Sequence, residues 1–435
     1  MNKLPLEIIQ RILSSVDDVN SLRAATLSCR ALYAAFAGAE ELITTKVVVR
    51  QIHWDVLPEA LAVEASWNIP NEDDALEKFA RYHLSTRSRP FASWRLADAL
   101  PIIRLHKIVE FLARRLARNA LAYGPPQLSR QSSYQPEPTA GELRRIQRAL
   151  YRFQLYCNMF SHKNTHYQNQ QRLFFRYFST IEHEQLACIQ DLLIRVVARP
   201  YNDLVGHDVR WGALGSFHYI SSSDSIEGQY IISRGLEKIY KIATALFYEE
   251  RSRLLRDVES VDGDLFRGYR LDEGLVEFVA SFLPDETPVR MTFSTLTPGQ
   301  KAAYIGRPYC DADHCDGIED IWERACGRIF LDRVINNSMT LKYRLWGYVF
   351  WDRERIPENG WQYNCSYATD PLVQSRYAED RGDMLAQSQE ARRRIWHAGG
   401  TGWWSFEDKS RVVWSSASAD RDRRYGSRPE LLTRP

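Results

Sequence analysis

The sequence predicts a mainly α protein in which an N-terminal unit of three short helices precedes a large irregular helical domain. Two observations carry that expectation. Apolar residues recur in steps of three and four along most of the 435 residues, the spacing that lines one face of an α-helix. Composition adds a real core, because apolar residues make up 44% and the chain holds 12 Trp, 22 Tyr and 18 Phe, far too much aromatic surface for a disordered polymer. At about 150 residues per domain, the length allows three domains or one large one. Lys and Arg number 57 against 55 Asp and Glu, a net charge of +2, so no global positive field draws in nucleic acid or anionic lipid. Such a partner needs a local patch, and neither nucleic acid nor membrane is expected.

Residues 4–37, LPLEIIQRILSSVDDVNSLRAATLSCRALYAAFA, divide into three helices with little freedom. Pro5 suits a first turn, Glu7 complements the positive end of the helix, and Asp17 and Asp18 interrupt the pattern, which places helix one at about 5–16. Asn20 or Ser21 can cap a second helix carrying Leu22, Ala25 and Leu27. Ser28 can cap a third, with Leu32, Tyr33 and Phe36. In helix one, Ile8, Ile9, Ile12, Leu13 and Val16 make an apolar stripe wider than a coiled-coil seam, more than two small helices easily cover. A unit of about forty residues is too small to stand alone, so it docks on the rest of the chain or on another protein.

Leu4-Pro5, Glu7-Ile8, Ile12-Leu13, Leu22 and the Ser28-Cys29-Arg30 triplet resemble the F-box, in the abbreviated form common in fungal proteins. The resemblance covers about a tenth of the chain. It implies a three-helix unit, residues 1–45, that binds a Skp-type adaptor and through it a cullin and a RING ubiquitin ligase. It also implies that residues 46–414 recruit a protein substrate. On that resemblance the adaptor-binding residues are Leu4, Pro5, Glu7, Ile8, Ile12, Leu13 and Leu22. An F-box scaffold acting outside any ligase has the same signature, and the same apolar residues also fit a helical cap packed on the main domain.

The stretch from Phe36 to Val49 fits a continuing helix or a short strand, and residues 58–83 hold two modest helical patterns. A firmer helix follows Pro101, with Leu105, Ile108, Leu112 and Leu116 on one stripe, Arg114, Arg115 and Arg118 mostly off it, and an end near Gly124. Pro, Gln and Ser dominate residues 124–139, which read as a linker or mobile loop; Ser129, Ser132 and Ser133 are candidate phosphorylation sites there, against the favoured reading of a plain exposed loop with no regulatory role. Thr139 and Glu142 then have capping-box spacing before the stripe Leu143, Ile146, Leu150, Phe153, Cys157 and Phe160. Leu186, Ile189, Leu193 and Val196 predict a helix ending before Pro200. Ile232, Leu236, Ile239, Ala243 and Leu246 predict one from about 225 to 256. Further helical patterns lie at about 271–283, 317–335 and 375–397, while residues 341–356 fit either a strand or a helix. The late concentration of Trp reads as core before recognition surface, and residues 415–435 as a polar, frayed tail.

Enzyme signatures are absent from the sequence: no phosphate-cradling glycine loop, dinucleotide fingerprint, HExxH or GxSxG. No catalysis and no cofactor are therefore expected. Cys310, His314, Cys315 and Cys326 offer enough ligand types for zinc, but adjacent His314 and Cys315 do not readily turn to one ion and a paired CxxC is missing. His162 and His166 lie four apart beyond a clear apolar stripe and read as surface residues. The odd, scattered cysteines suit a reducing compartment, and Glu7 and Arg11 interrupt any signal-peptide core, so an intracellular location, cytoplasmic or nuclear, is expected.

Overall fold

The structure, a computed structural model, describes residues 4–70, 72–85, 93–122, 137–160, 169–170, 173–214, 218–221, 225–260, 271, 274–275, 291–306, 317–331, 334, 338–355 and 382–414. These hold seventeen α-helices and a single two-stranded sheet, so the protein is mainly α. The chain divides into two compact units. The first comprises Met1–Ile194, Ile232–Tyr240 and Asp262–Tyr367, the second Arg195–Ile231, Lys241–Val261 and Ala368–Pro435.

The first unit begins with α1 (Leu6–Ser14), α2 (Val19–Ser28) and α3 (Arg30–Ala37). The carboxylate of Asp18 accepts the N–H groups of Asn20 and Ser21 at 3.0 and 3.1 Å, so the cap lies two residues earlier than Asn20 and α2 starts at Val19. Extended backbone at Cys29, not Ser28, separates α2 from α3. The stretch after Phe36 is helical, α4 (Glu40–Gln51), with Ile43, Val47 and Val48 fully buried. It packs against α1, α2, α3 and α7 (Leu96–Ala122), with α5 (Leu57–Ser66) and α6 (Asp73–His83) between. The Gln51 side chain accepts the N–H of Val19 at 3.1 Å and Arg50 donates to the Val16 carbonyl at 3.2 Å, tying the end of α4 to the link between α1 and α2. The expected boundary at residue 45 falls inside this packed helix, and the helices on both sides of it belong to the first compact unit.

Pro101 was expected to precede its helix but lies inside α7. Pro101 and Ala97, whose carbonyl loses its helical donor there, are both exposed, so the interruption falls on the solvent side of the helix. The next helix, α8 (Ala140–Phe160), has the expected capping box: Thr139 N–H donates to Glu142 at 2.8 Å and Glu142 N–H to the Thr139 hydroxyl at 3.1 Å. Of the expected loop, residues 124–136 lie outside the described residues, as do Ser129, Ser132, Ser133, His162 and His166.

In α9 (Thr180–His207), Pro200 does not end the helix. Tyr201, Leu204 and Val205 beyond it are buried, and that burial outweighs one missing hydrogen bond. After α10 (Val209–Leu214), the single helix expected at 225–256 is three: α11 (Ile226–Ser233), α12 (Leu236–Thr244) and α13 (Tyr248–Leu255). Gly235, at φ +86°, breaks the first join, and a Cβ there would meet the Gln154 amide at 3.0 Å. That amide accepts the Leu236 N–H at 2.7 Å. At the second join Leu246 is 77% exposed, so it belongs to no core stripe.

The remaining helices are α14 (Pro298–Ile305), α15 (Ile318–Cys326), α16 (Ser338–Trp346) and α17 (Gly382–His397). Of the expected 341–356, residues 341–355 form the end of α16, a left-handed Gly347 at φ +69° and two 3-10 turns. Trp346 and Trp351 are buried there, core as expected. An unforeseen hairpin pairs β1 (Gly400–Gly402) with β2 (Val412–Trp414), Thr401 opposite Val413. Most of 271–283 and all of 415–435 lie outside the described residues. Among the described residues no helix is long and apolar enough to cross a membrane.

Candidate functional site

The helical period alone gives α1 two apolar faces. Ile9 and Leu13, four apart, turn inward and are 6% and 1% exposed; Ile8 and Ile12, one position earlier in each turn, face water at 43% and 47%. Leu4 at 44%, before the helix, and Leu6 at 51%, its first residue, are exposed as well. Gln10 donates to the Ala35 carbonyl at 3.0 Å and fixes the rotation of α1 against α3, so the outer face is held outward. Ile8, Arg11, Ile12, Ser15 and Val16 line an open concavity of about 470 Å³. The Ser15 hydroxyl donates to the Arg11 carbonyl at 2.8 Å and closes the end of the helix.

The seven residues singled out from the sequence separate into two groups. Leu4, Pro5, Glu7, Ile8 and Ile12 are exposed on or beside α1. Leu13 and Leu22 are 1% and 0% exposed, sealed in the chain's own interior. Both are corrected from contact residues to anchors that hold the unit together, because a side chain without accessible surface has none to give a partner. Leu6 was missed. Its signal was present in the sequence, a large aliphatic in the first turn beside Pro5, but it falls off the stripe of steps one and three that defined the helix.

Behind this surface lies a polar interior. Besides its apolar stripe, α8 buries Glu142, Arg145, Arg148 and Arg152. Arg152 donates to Gln185 at 2.9 Å and pairs with Glu59 at 3.1 Å and Glu182 at 2.9 Å. Arg145 holds the Phe350 carbonyl at 2.9 Å and the Asp352 carboxylate, while Arg355 closes on Glu142 at 2.7 and 2.8 Å. Arg344 grips both oxygens of Glu184, at 2.7 and 3.0 Å. Buried charges survive only when paired in this way, and the pairs fix α5, α8, α9, α16 and the turn after it against one another. Beside them, burial pushes the His106 imidazole down to about 4, so it is neutral. A backbone hydrogen bond joins the ring to Gln51 and its Nδ1 lies 3.1 Å from the Tyr151 hydroxyl, which connects α4, α7 and α8.

Among the described residues no group of His, Cys, Asp and Glu can hold a metal. Of the zinc inventory, Cys310, His314 and Cys315 lie outside the described residues. Cys326 is buried, its sulfur 3.2 Å from the Tyr348 hydroxyl and its thiol pushed up by burial. No family model, curated protein or solved structure matches this chain.

Proposed function

We propose that this chain is a substrate receptor of an SCF-type ubiquitin ligase, acting in the cytoplasm or nucleus, with the outer face of α1 docking a Skp-type adaptor that leads to a cullin. The observation that carries the reading is the division of α1 into a buried face, Ile9 and Leu13, and an exposed one, Ile8 and Ile12. A helix whose only task was to cap its own domain would keep its aliphatics inward and spend the outer face on polar residues. Leu4, Leu6, Ile8 and Ile12 instead present apolar area that gains from being covered. No catalytic step is assigned to the chain itself, which serves to bring a protein target to the ligase.

The test is a double charge insertion, I8E/I12E, scored for adaptor binding and for thermal stability. Both side chains already contact water, so the melting temperature should stay within about 2 °C of wild type. Two carboxylates at a desolvated interface should weaken adaptor binding by at least about a hundredfold, and the cullin should be lost with it. Unchanged binding of a Skp-type adaptor, or no binding by the wild-type chain, refutes the reading.

A further inference from the structure

The long helix α7 carries a second surface that the receptor reading does not use. Arg104, Lys107, Phe111, Arg114 and Arg118 are all exposed, at successive steps of three, four, three and four. That spacing puts them in one line along the helix, about 21 Å from end to end at about 1.5 Å per residue. Ile103, Leu105, Ile108, Val109, Leu112 and Leu116 bury the opposite side, so the line cannot turn inward. Phe111, 37% exposed in the middle, is held edge-on against Tyr240 with ring centroids 5.0 Å apart.

The cations on this line form no ion pair, as is also true of the exposed Arg11, Arg23 and Arg30 of α1, α2 and α3; what sets α7 apart is that four of them share one line with an aromatic at its centre. On α6, α15 and α17 the surface arginines have an acid one turn away: Arg81 with Glu77, Arg324 with Asp320, Arg394 with Glu390. Among the described residues Arg104, Lys107, Arg114 and Arg118 form no hydrogen bond or ion pair. Glu110, half-buried and one turn from both Lys107 and Arg114, feels both cations, and Asp18 feels Lys107, whereas neither Arg104 nor Arg118 has an acid one turn away on α7. Like charges one turn apart, such as Arg114 and Arg118, disfavour a helix, and a surface with no other use normally interleaves the signs.

We propose that this face of α7 docks an acidic helical segment of a partner protein, with carboxylates at one-turn spacing against the four cations and an apolar side chain on Phe111. The spacing of the cations is that of carboxylates on a facing helix, and the aromatic centre suits an amphipathic protein segment better than a phosphate backbone. Calling that partner a ligase target rests on the receptor reading; the docking face does not.

The experiment uses the full chain and fluorescence anisotropy with a labelled helical peptide of about 20 residues, Glu at one-turn spacing around a central Leu, at about 50 and about 300 mM salt. Saturable binding that weakens with salt is expected, and R104E/R114E/R118E should lose at least about tenfold in affinity with an unchanged melting temperature. The I8E/I12E chain should bind the peptide as wild type does. Peptide binding intact in a chain that fails to bind the adaptor would leave the α7 assignment standing and remove only the ligase role. The proposal is overturned by absence of saturable binding, by equal binding to the triple variant, or by loss in I8E/I12E. It is equally overturned if a single-stranded oligonucleotide binds more tightly than the peptide and is lost in the triple variant, which would reassign the line to nucleic acid.

Discussion

Removing residues 1–45 should collapse the first unit and not release an intact helical domain. The cut leaves less than two turns of α4, too short to hold itself as a helix in water. It deletes Ile43 and strips the cover from Val47 and Val48, all three fully buried. At about 1.5–3 kcal/mol per buried aliphatic side chain, the two valines alone account for roughly 3–6 kcal/mol, and α7 also loses its packing against α2. A domain has a total of about 5–15 kcal/mol, so the fragment has little or nothing left. Thermal unfolding by circular dichroism, comparing the full chain with a fragment starting at residue 46, measures this. At about 2–4 °C per kcal/mol the midpoint should fall by at least about 6 °C or the cooperative transition should vanish, with dye-binding apolar surface appearing at room temperature. A fragment that melts cooperatively within about 3 °C of the full chain refutes the argument and restores a boundary at residue 45.

Arg152→Met should cost about 3–5 kcal/mol, read as a fall in melting temperature, because Glu59 and Glu182 are left buried without their cation; adding Glu182→Gln should recover part of it. His106 sets a pH dependence: its folded pKa of about 4 lies below its ordinary 6.5, so the unfolded chain binds the extra proton, and stability present above about pH 6.5 is lost as pH falls toward 4, on the order of 3 kcal/mol in all. In His106→Gln, the slope of melting temperature between pH 7 and 5 should flatten, and an unchanged slope would count against a neutral buried imidazole. Gly212→Ala should destabilise the second unit by about 1–3 kcal/mol, since a Cβ at that position would come within 2.5 Å of the Arg392 guanidinium, which is itself fixed on the Val205 and Asp208 carbonyls; calorimetry of the variant checks it.

How far the sequence was legible depended on which force set each element. Apolar period and capping chemistry made the helices readable: Thr139 and Glu142 placed the start of α8 to the residue, and the stripe of α7 turned inward as its spacing requires. What the period could not reveal was the second ring of burial around α8. Arg145 and Arg152 look like a solvated face until partners distant in sequence, Asp352, Glu59 and Glu182, arrive to match them, and no local rule foresees that. Prolines misled for the same reason. Pro101 and Pro200 stop a helix in isolation, yet solvent access to one backbone group and burial beyond the other decided both cases. In the candidate site, the exposed half of α1 was foreseen as excess apolar width, whereas the interior roles of Leu13 and Leu22 follow from packing by α4, which the sequence left open between helix and strand.

The firmness of α4 bears on how α1 would work as a docking surface. A free helix of nine residues is marginal in water, and a partner would have to order it at the moment of binding, an entropic cost taken from the affinity. Here that ordering is already done. Ile9 and Leu13 are inserted, Gln10 is bonded to α3, Arg50 holds the Val16 carbonyl, and Gln51 links the start of α2 to the buried His106 and so to α7 and α8. Leu22→Ala, which hollows the interior where α2 packs on α3, α4 and α7 without touching the outer face of α1, therefore separates preorganisation from contact. It should cost about 2–5 kcal/mol of stability, and below its melting point it should still bind the adaptor with a slower association and a similar lifetime once bound. A variant that instead dissociates many times faster, with association unchanged, would show that the leucine acts through the bound interface, and its assignment as an interior anchor would fall.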